Sequence, residues 1–147
     1  MIVDGATYDN GARVAEAVTP EAMTDVDREP PAFAWVGLRM PGPDELEVVC
    51  RALGWGDIPF ADVVTPHARP VLTIDGSFVH LALRTARYVE ADETVQLGEL
   101  AVLADPHAVL TVRFGHAAPL AELRRVLEDD PEWLRLGTFA VLASVVA

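Results

Sequence analysis

The sequence predicts an α/β fold: a layered αβα sandwich with a mixed, largely antiparallel sheet flanked by helices. Three observations predict it. Period-two segments run almost without interruption from residue 69 to 115, helical stripes of apolar residues lie both before and after them, and a strand–turn–strand signal opens the chain. At 147 residues, 51% of them hydrophobic and 23% charged, the chain is long and apolar enough for one packed core.

The opening MIVDGATYDNGARV reads as a hairpin, with Asp9-Asn10-Gly11 as the turn and a second strand ending near Val14. Residues 15–31 mix acids, prolines and threonine without a clean period, which fits a short helix or a surface loop. FAWVGLRM, bounded by Pro31 and Pro41, is a continuous apolar run and reads as a buried strand. Pro43 and Asp44 then open a helix in which Leu46, Val49, Cys50 and Leu53 share one face, with Gly54 as its stop. Cys50 belongs to that stripe and reads as a small core residue.

DIPFADVV, residues 57–64, has room for one or two helical turns before the Thr65-Pro66 break. Four strands follow in RPVLTI, SFVHLALRTARYVE, TVQLGELAVLAD and HAVLTVRFG, separated by Asp75-Gly76, Ala91-Asp92-Glu93 and Asp105-Pro106. In the second of them His80, Ala82, Arg84 and Ala86 face opposite to Val79, Leu81, Leu83 and Thr85, and the histidine face is expected to be the wetter one. PLAELRRVLEDD reads as an amphipathic helix with Leu120, Leu123 and Leu127 inward and Arg124 placed to pair with Glu128. From residue 138 a last helix is expected to bury Phe139, Leu142, Ala143 and Val146. It lacks a glycine or basic cap, so the chain reads as cut within it.

Charge and residue usage exclude several functions. Acids outnumber bases 23 to 11, giving a net charge of −12, and every base is arginine. The absence of lysine removes a P-loop lysine and Schiff-base chemistry. An acidic balance disfavours phosphate backbones, so no nucleic-acid partner is expected. Cys50 is the only cysteine, which excludes an internal disulfide or a CxxC site. Ser77 and Ser144 lie in no nucleophile elbow. His67, His80, His107 and His116 form no HxH or HExxH pattern and read as surface or satisfied histidines. Two acidic clusters, Glu128 to Asp130 with Glu132 and Glu90 with Asp92 and Glu93, read as solvated. No catalytic constellation emerges, and the expectation is a protein that is not an enzyme. The apolar stretch TFAVLASVVA is shorter than the roughly 20 residues that span a bilayer.

One carboxylate remains open to two readings. Asp62, in FADVVTPHARP, sits among apolar residues and either caps nearby amides or contributes to an ion site.

The order of these segments resembles the N-terminal cytoplasmic domain of the CorA magnesium transporter family. The resemblance is carried by the DG-containing opening strand, AFAWVGL, PDELEVVCRALG, FADVVTPHARP, SFVHLALRTARYVE, LAVLADPHAVLTVRFG and PLAELRRVLEDDPEWLRLGTFAVLASVV. It covers nearly the whole chain, which departs from the family pattern at Gly56, Asp57, Ala61 and Val71. The resemblance implies that residues 1–147 are one regulatory domain, ending before a long stalk helix and the membrane helices, on the cytoplasmic side of the inner membrane of a homopentamer. It implies that Asp62 holds a regulatory divalent ion, magnesium with cobalt as a substitute, together with an acid from the stalk of a neighbouring subunit. Such a protein gates transport through intersubunit metal binding and meets the membrane only through helices beyond residue 147. The alternative is a stand-alone protein of the same fold, without transport, that uses its apolar C-terminal helix to dock on a partner.

Overall fold

The computed structural model describes residues 1–24, 29–56, 63 and 70–146. Seven strands form one sheet: β1 (Ile2–Asp9), β2 (Ala12–Glu16), β3 (Phe33–Arg39), β4 (Val71–Asp75), β5 (Phe78–Val89), β6 (Thr94–Asp105) and β7 (Ala108–Gly115). Their order across the sheet is β2-β1-β3-β7-β6-β5-β4. All neighbours pair antiparallel except β3 and β7, which run parallel. The mixed, largely antiparallel sheet expected from the sequence is present.

Among the described residues, five helices of four residues or more cover the two faces. On the first face lie α1 (Pro20–Met23) and α2 (Pro43–Ala52), whose Met23, Leu46, Val49 and Cys50 pack on Ala34, Val36, Leu38, Leu110 and Val112. On the second lie α3 (Ala121–Glu128), α4 (Pro131–Leu134) and α5 (Thr138–Val146), whose Leu127, Leu134 and Val141 pack on Ala6, Tyr8, Phe33, Trp35 and Val109. β3 carries residues of both cores, which is why its sequence is continuously apolar rather than alternating. The two parallel strands send their following helices to opposite faces, α2 after β3 and α3 after β7.

Local chemistry explains the boundaries. Asn10 and Gly11 both have positive φ, 52° and 83°, as a tight hairpin requires. Gly11 has a second reason to lack a side chain, since a Cβ there would stand 2.2 Å from the Pro131 carbonyl oxygen at the start of α4. Thr19 caps α1 by accepting from the Ala22 amide at 3.2 Å. Pro43 begins α2 at a position where no amide donor is needed, and Gly54, at φ 89°, ends that segment.

Three expectations are corrected. On β5, His80 and Ala82 are buried while Val79, Leu81 and Leu83 are only partly so, and only the outer end of the histidine face, Arg84 and Ala86, is exposed as expected. The His80 face continues the first core through Leu103 and Ala101, its register neighbours on β6, so the helices that reach the strand decide its burial. On the other face Leu72 and Ile74 of edge strand β4 stand exposed beside Leu81 and Val79. In α5 the residues buried are Ala140 and Val141, whereas Phe139 is 60% and Val146 54% exposed. The helix is apolar all round, so periodicity could not choose its inward side. α4 was not anticipated; Asp130 starts it by accepting from the Trp133 amide at 3.3 Å.

Candidate functional site

Asp62, the expected metal ligand, lies outside the described residues, as do its neighbours His67 and Arg69. Val63, the next residue in the chain, is fully buried in the first core with Cys50, Leu53 and Trp55. The Trp55 indole N–H donates to the Asp105 carboxylate at 2.9 Å, and that carboxylate also accepts the His107 and Ala108 amides at 2.8 and 3.0 Å. The turn between β6 and β7 is thereby tied to the segment that follows α2. Among the described residues no group of three or more His, Cys, Asp and Glu side chains could hold a metal ion. A shared site of the expected kind requires few ligands from one chain, since magnesium keeps several waters and often takes one or two carboxylates.

The described residues do contain a polar constellation that the sequence reading placed wrongly. Arg124 does not pair with Glu128 along its own helix; it is buried, 4% exposed, and points into the sheet. Its Nε meets Asp4 Oδ2 at 2.9 Å, one terminal nitrogen donates to the Tyr8 hydroxyl at 2.9 Å, and the other donates to the Trp35 carbonyl at 3.2 Å. The guanidinium also lies 4.0 Å from the centre of the Trp35 ring, within cation–π range. Glu128 is taken by Arg13 at 3.1 Å and accepts from the Tyr8 hydroxyl at 3.4 Å, so it is not the solvated end of an acidic run. Arg13 lies 3.5 Å from Asp4 Oδ1, which closes a ring of five side chains. Burial pushes the Tyr8 hydroxyl above its ordinary range, against the pull of Arg124.

This ring links β1, β2, β3 and α3. A buried guanidinium is tolerable only with its donors satisfied and a counter-charge at hand, and here carboxylate, hydroxyl, carbonyl and ring face supply both. Each partner restricts direction as well as distance, so the ring fixes how α3 sits on the sheet. The clue in the sequence was spacing: Arg124 lies between Leu123 and Leu127 on the inward stripe, where a surface arginine does not belong.

No protein-family model and no curated protein matches the chain. Solved structures do match. The full-length CmaX protein is 18% identical with a TM-score of 0.63, over 92% of this chain and 40% of that one. The ZntB cytoplasmic domain from Vibrio parahaemolyticus is 17% identical with a TM-score of 0.61, over 99% and 56%. The CorA magnesium transporter from Methanocaldococcus jannaschii is 14% identical with a TM-score of 0.52, over 90% and 39%. The chain thus spans from about two fifths to just over half the length of these structures, and no helix among its described residues is long and apolar enough to cross a membrane. In its seven-stranded sheet and two helical layers, this chain has the fold of a CorA-like N-terminal cytoplasmic domain.

Proposed function

We propose that the chain is the divalent-cation-sensing domain of a CorA-like magnesium transporter, a non-enzymatic regulator on the cytoplasmic side of the inner membrane. Asp62 supplies one carboxylate, and an acid from the stalk of a neighbouring subunit in a homopentamer completes the site. Two carboxylates brought together repel, and magnesium, or cobalt in its place, removes that repulsion. Ion occupancy holds the subunits in the closed arrangement and ion loss releases them, because the ion binds one arrangement more tightly than the other. The observation that carries this reading is the likeness in fold to the ZntB cytoplasmic domain and the CorA magnesium transporter along 90% or more of the chain.

The second reading, a stand-alone module that docks on a partner, draws on exposed Leu136 and Phe139 at the C-terminal helices. Flux measurement separates the two. In vesicles reconstituted with the full-length natural protein, internal magnesium suppresses ion entry and Asp62→Ala relieves that suppression. Suppression of equal strength in the variant removes Asp62 from the mechanism, and the absence of any flux favours the docking module.

A further inference from the structure

We propose that the carboxyl ends of β3 and β7 form a binding site for a small soluble oxyanion of the phosphate class. These are the two parallel strands of the sheet, and the helices that follow them leave for opposite faces. In open α/β sheets such a reversal leaves a crevice outside the strand ends, and ligands bind there. Here the crevice holds a cavity of about 370 Å3, bordered by Arg39, Arg87, Gln96, Arg113, His116 and Pro119.

The charge lining this cavity runs against the rest of the molecule. Acids outnumber bases about two to one in the chain, yet three arginines converge here. Arg39 and Arg113 are register partners on adjacent strands, so their side chains leave the same face of the sheet side by side. Arg87 pairs with Gln96 on the neighbouring strands and leaves that face too. Among the described residues none of the three arginines makes a salt bridge. Asp4, which lines an adjoining cavity of about 120 Å3 with Arg113, is already engaged by Arg124, Arg13 and the Gly5 amide. Like charges directly opposite one another in a sheet are destabilising. Burial, and then the charge of Arg39, hold the Arg113 guanidinium below its ordinary range.

The loop bordering the cavity is held against β6. Gly98 of β6 admits it: a Cβ there would stand 2.3 Å from the Ala117 amide nitrogen. The His116 amide donates to the Leu97 carbonyl at 3.1 Å, and an Arg113 nitrogen donates to the Ala117 carbonyl at 3.4 Å. Two guanidiniums and a third arginine across a fixed concavity match the planar, bidentate way arginine grips phosphate oxygens. The net charge of −12 disfavours approach to an anionic membrane, so the ligand is a soluble one.

Sodium pyrophosphate is the probe, titrated calorimetrically into the 147-residue chain at constant ionic strength, with a chelator present to exclude divalent ions. Saturable one-to-one binding is expected, weakened about tenfold or more by Arg39→Gln and by Arg113→Gln and unaffected by Arg51→Gln on the far surface of α2. Without ligand, Arg39→Gln unfolds at the same temperature as the natural chain or higher, because a repulsion is gone; pyrophosphate raises the transition of the natural chain more than that of the variant. Failure of the natural chain to bind, or equal binding by folded Arg39→Gln and Arg113→Gln variants, overturns the site. Binding to phosphatidic acid vesicles that pyrophosphate cannot displace overturns the soluble ligand. Asp62→Ala leaves the titration unchanged, so this site and the divalent site stand or fall separately.

Discussion

The two faces of the sheet are held by different physics. On the first, α2 lies on an apolar core of Val36, Leu38, Leu110 and Val112, its inward stripe carrying no polar group but the Cys50 thiol, and the polar contact of that face, Trp55 with Asp105, lies beyond the helix. On the second, α3 is held by apolar residues and also by the ring of Asp4, Tyr8, Arg13, Arg124 and Glu128. Apolar burial is non-directional and tolerates small slips; a five-membered polar ring has one satisfied arrangement. α3 is therefore set in orientation as well as in place.

Breaking the ring gives the largest effect. Arg124→Ala removes the buried cation and its cover over Trp35, leaving Asp4 only Arg13 and the Gly5 amide and Tyr8 only Glu128, at a cost of about 4 kcal/mol in chemical denaturation. Leu46→Ala on the other face costs about 3 kcal/mol by cavity formation alone. Hydrogen exchange distinguishes the two, with amides of α3 to α5 losing protection in the first variant and those of α2 in the second. Loosening of α2 by Arg124→Ala, with α3 to α5 unaffected, contradicts the contrast.

A pH series sharpens it. Burial pushes the Cys50 thiol up to about 12. Above the ordinary thiol range the unfolded chain has lost its proton while the folded chain keeps it, so stability present at neutral pH falls as pH rises from about 9 toward 12. Cys50→Ala, slightly less stable at neutral pH, shows a shallower alkaline decline. An identical decline means that this thiol is not the group responsible.

The smallest effect is expected at the rim of the ring. Arg13→Gln gives up ion pairs with Asp4 and Glu128 that solvent partly screens, at a cost of about 0.5 to 1 kcal/mol. A loss as large as that of Arg124→Ala shows that the ring fails as a unit rather than hinging on its buried cation.

Much of this fold was legible in the sequence because its signals are local. The Asn10-Gly11 turn, the Pro43 to Gly54 helix and the period-two run from β4 to β7 each carry their own instructions. Long-range choices were not legible. No spacing rule announces that β3 and β7 pair in parallel, that the face of His80 falls under the first helical layer, or that α5 turns Ala140 and Val141 inward. Arg124 and Glu128 fit the i, i+4 rule, yet Arg124 found Asp4, 120 positions away, because a buried cation needs more partners than one surface carboxylate offers. The arginine cavity was invisible for the same reason, since Arg39 and Arg113 meet only through strand register. Asp62 was singled out by its apolar setting and by resemblance.

Calorimetric titration of the full-length natural protein with magnesium, beside its Asp62→Ala variant, tests the central claim most directly. The account predicts saturable binding that the substitution weakens by about tenfold or more, as expected when one of two carboxylates is removed from a shared divalent site. Equal affinity and stoichiometry in the two proteins would contradict it.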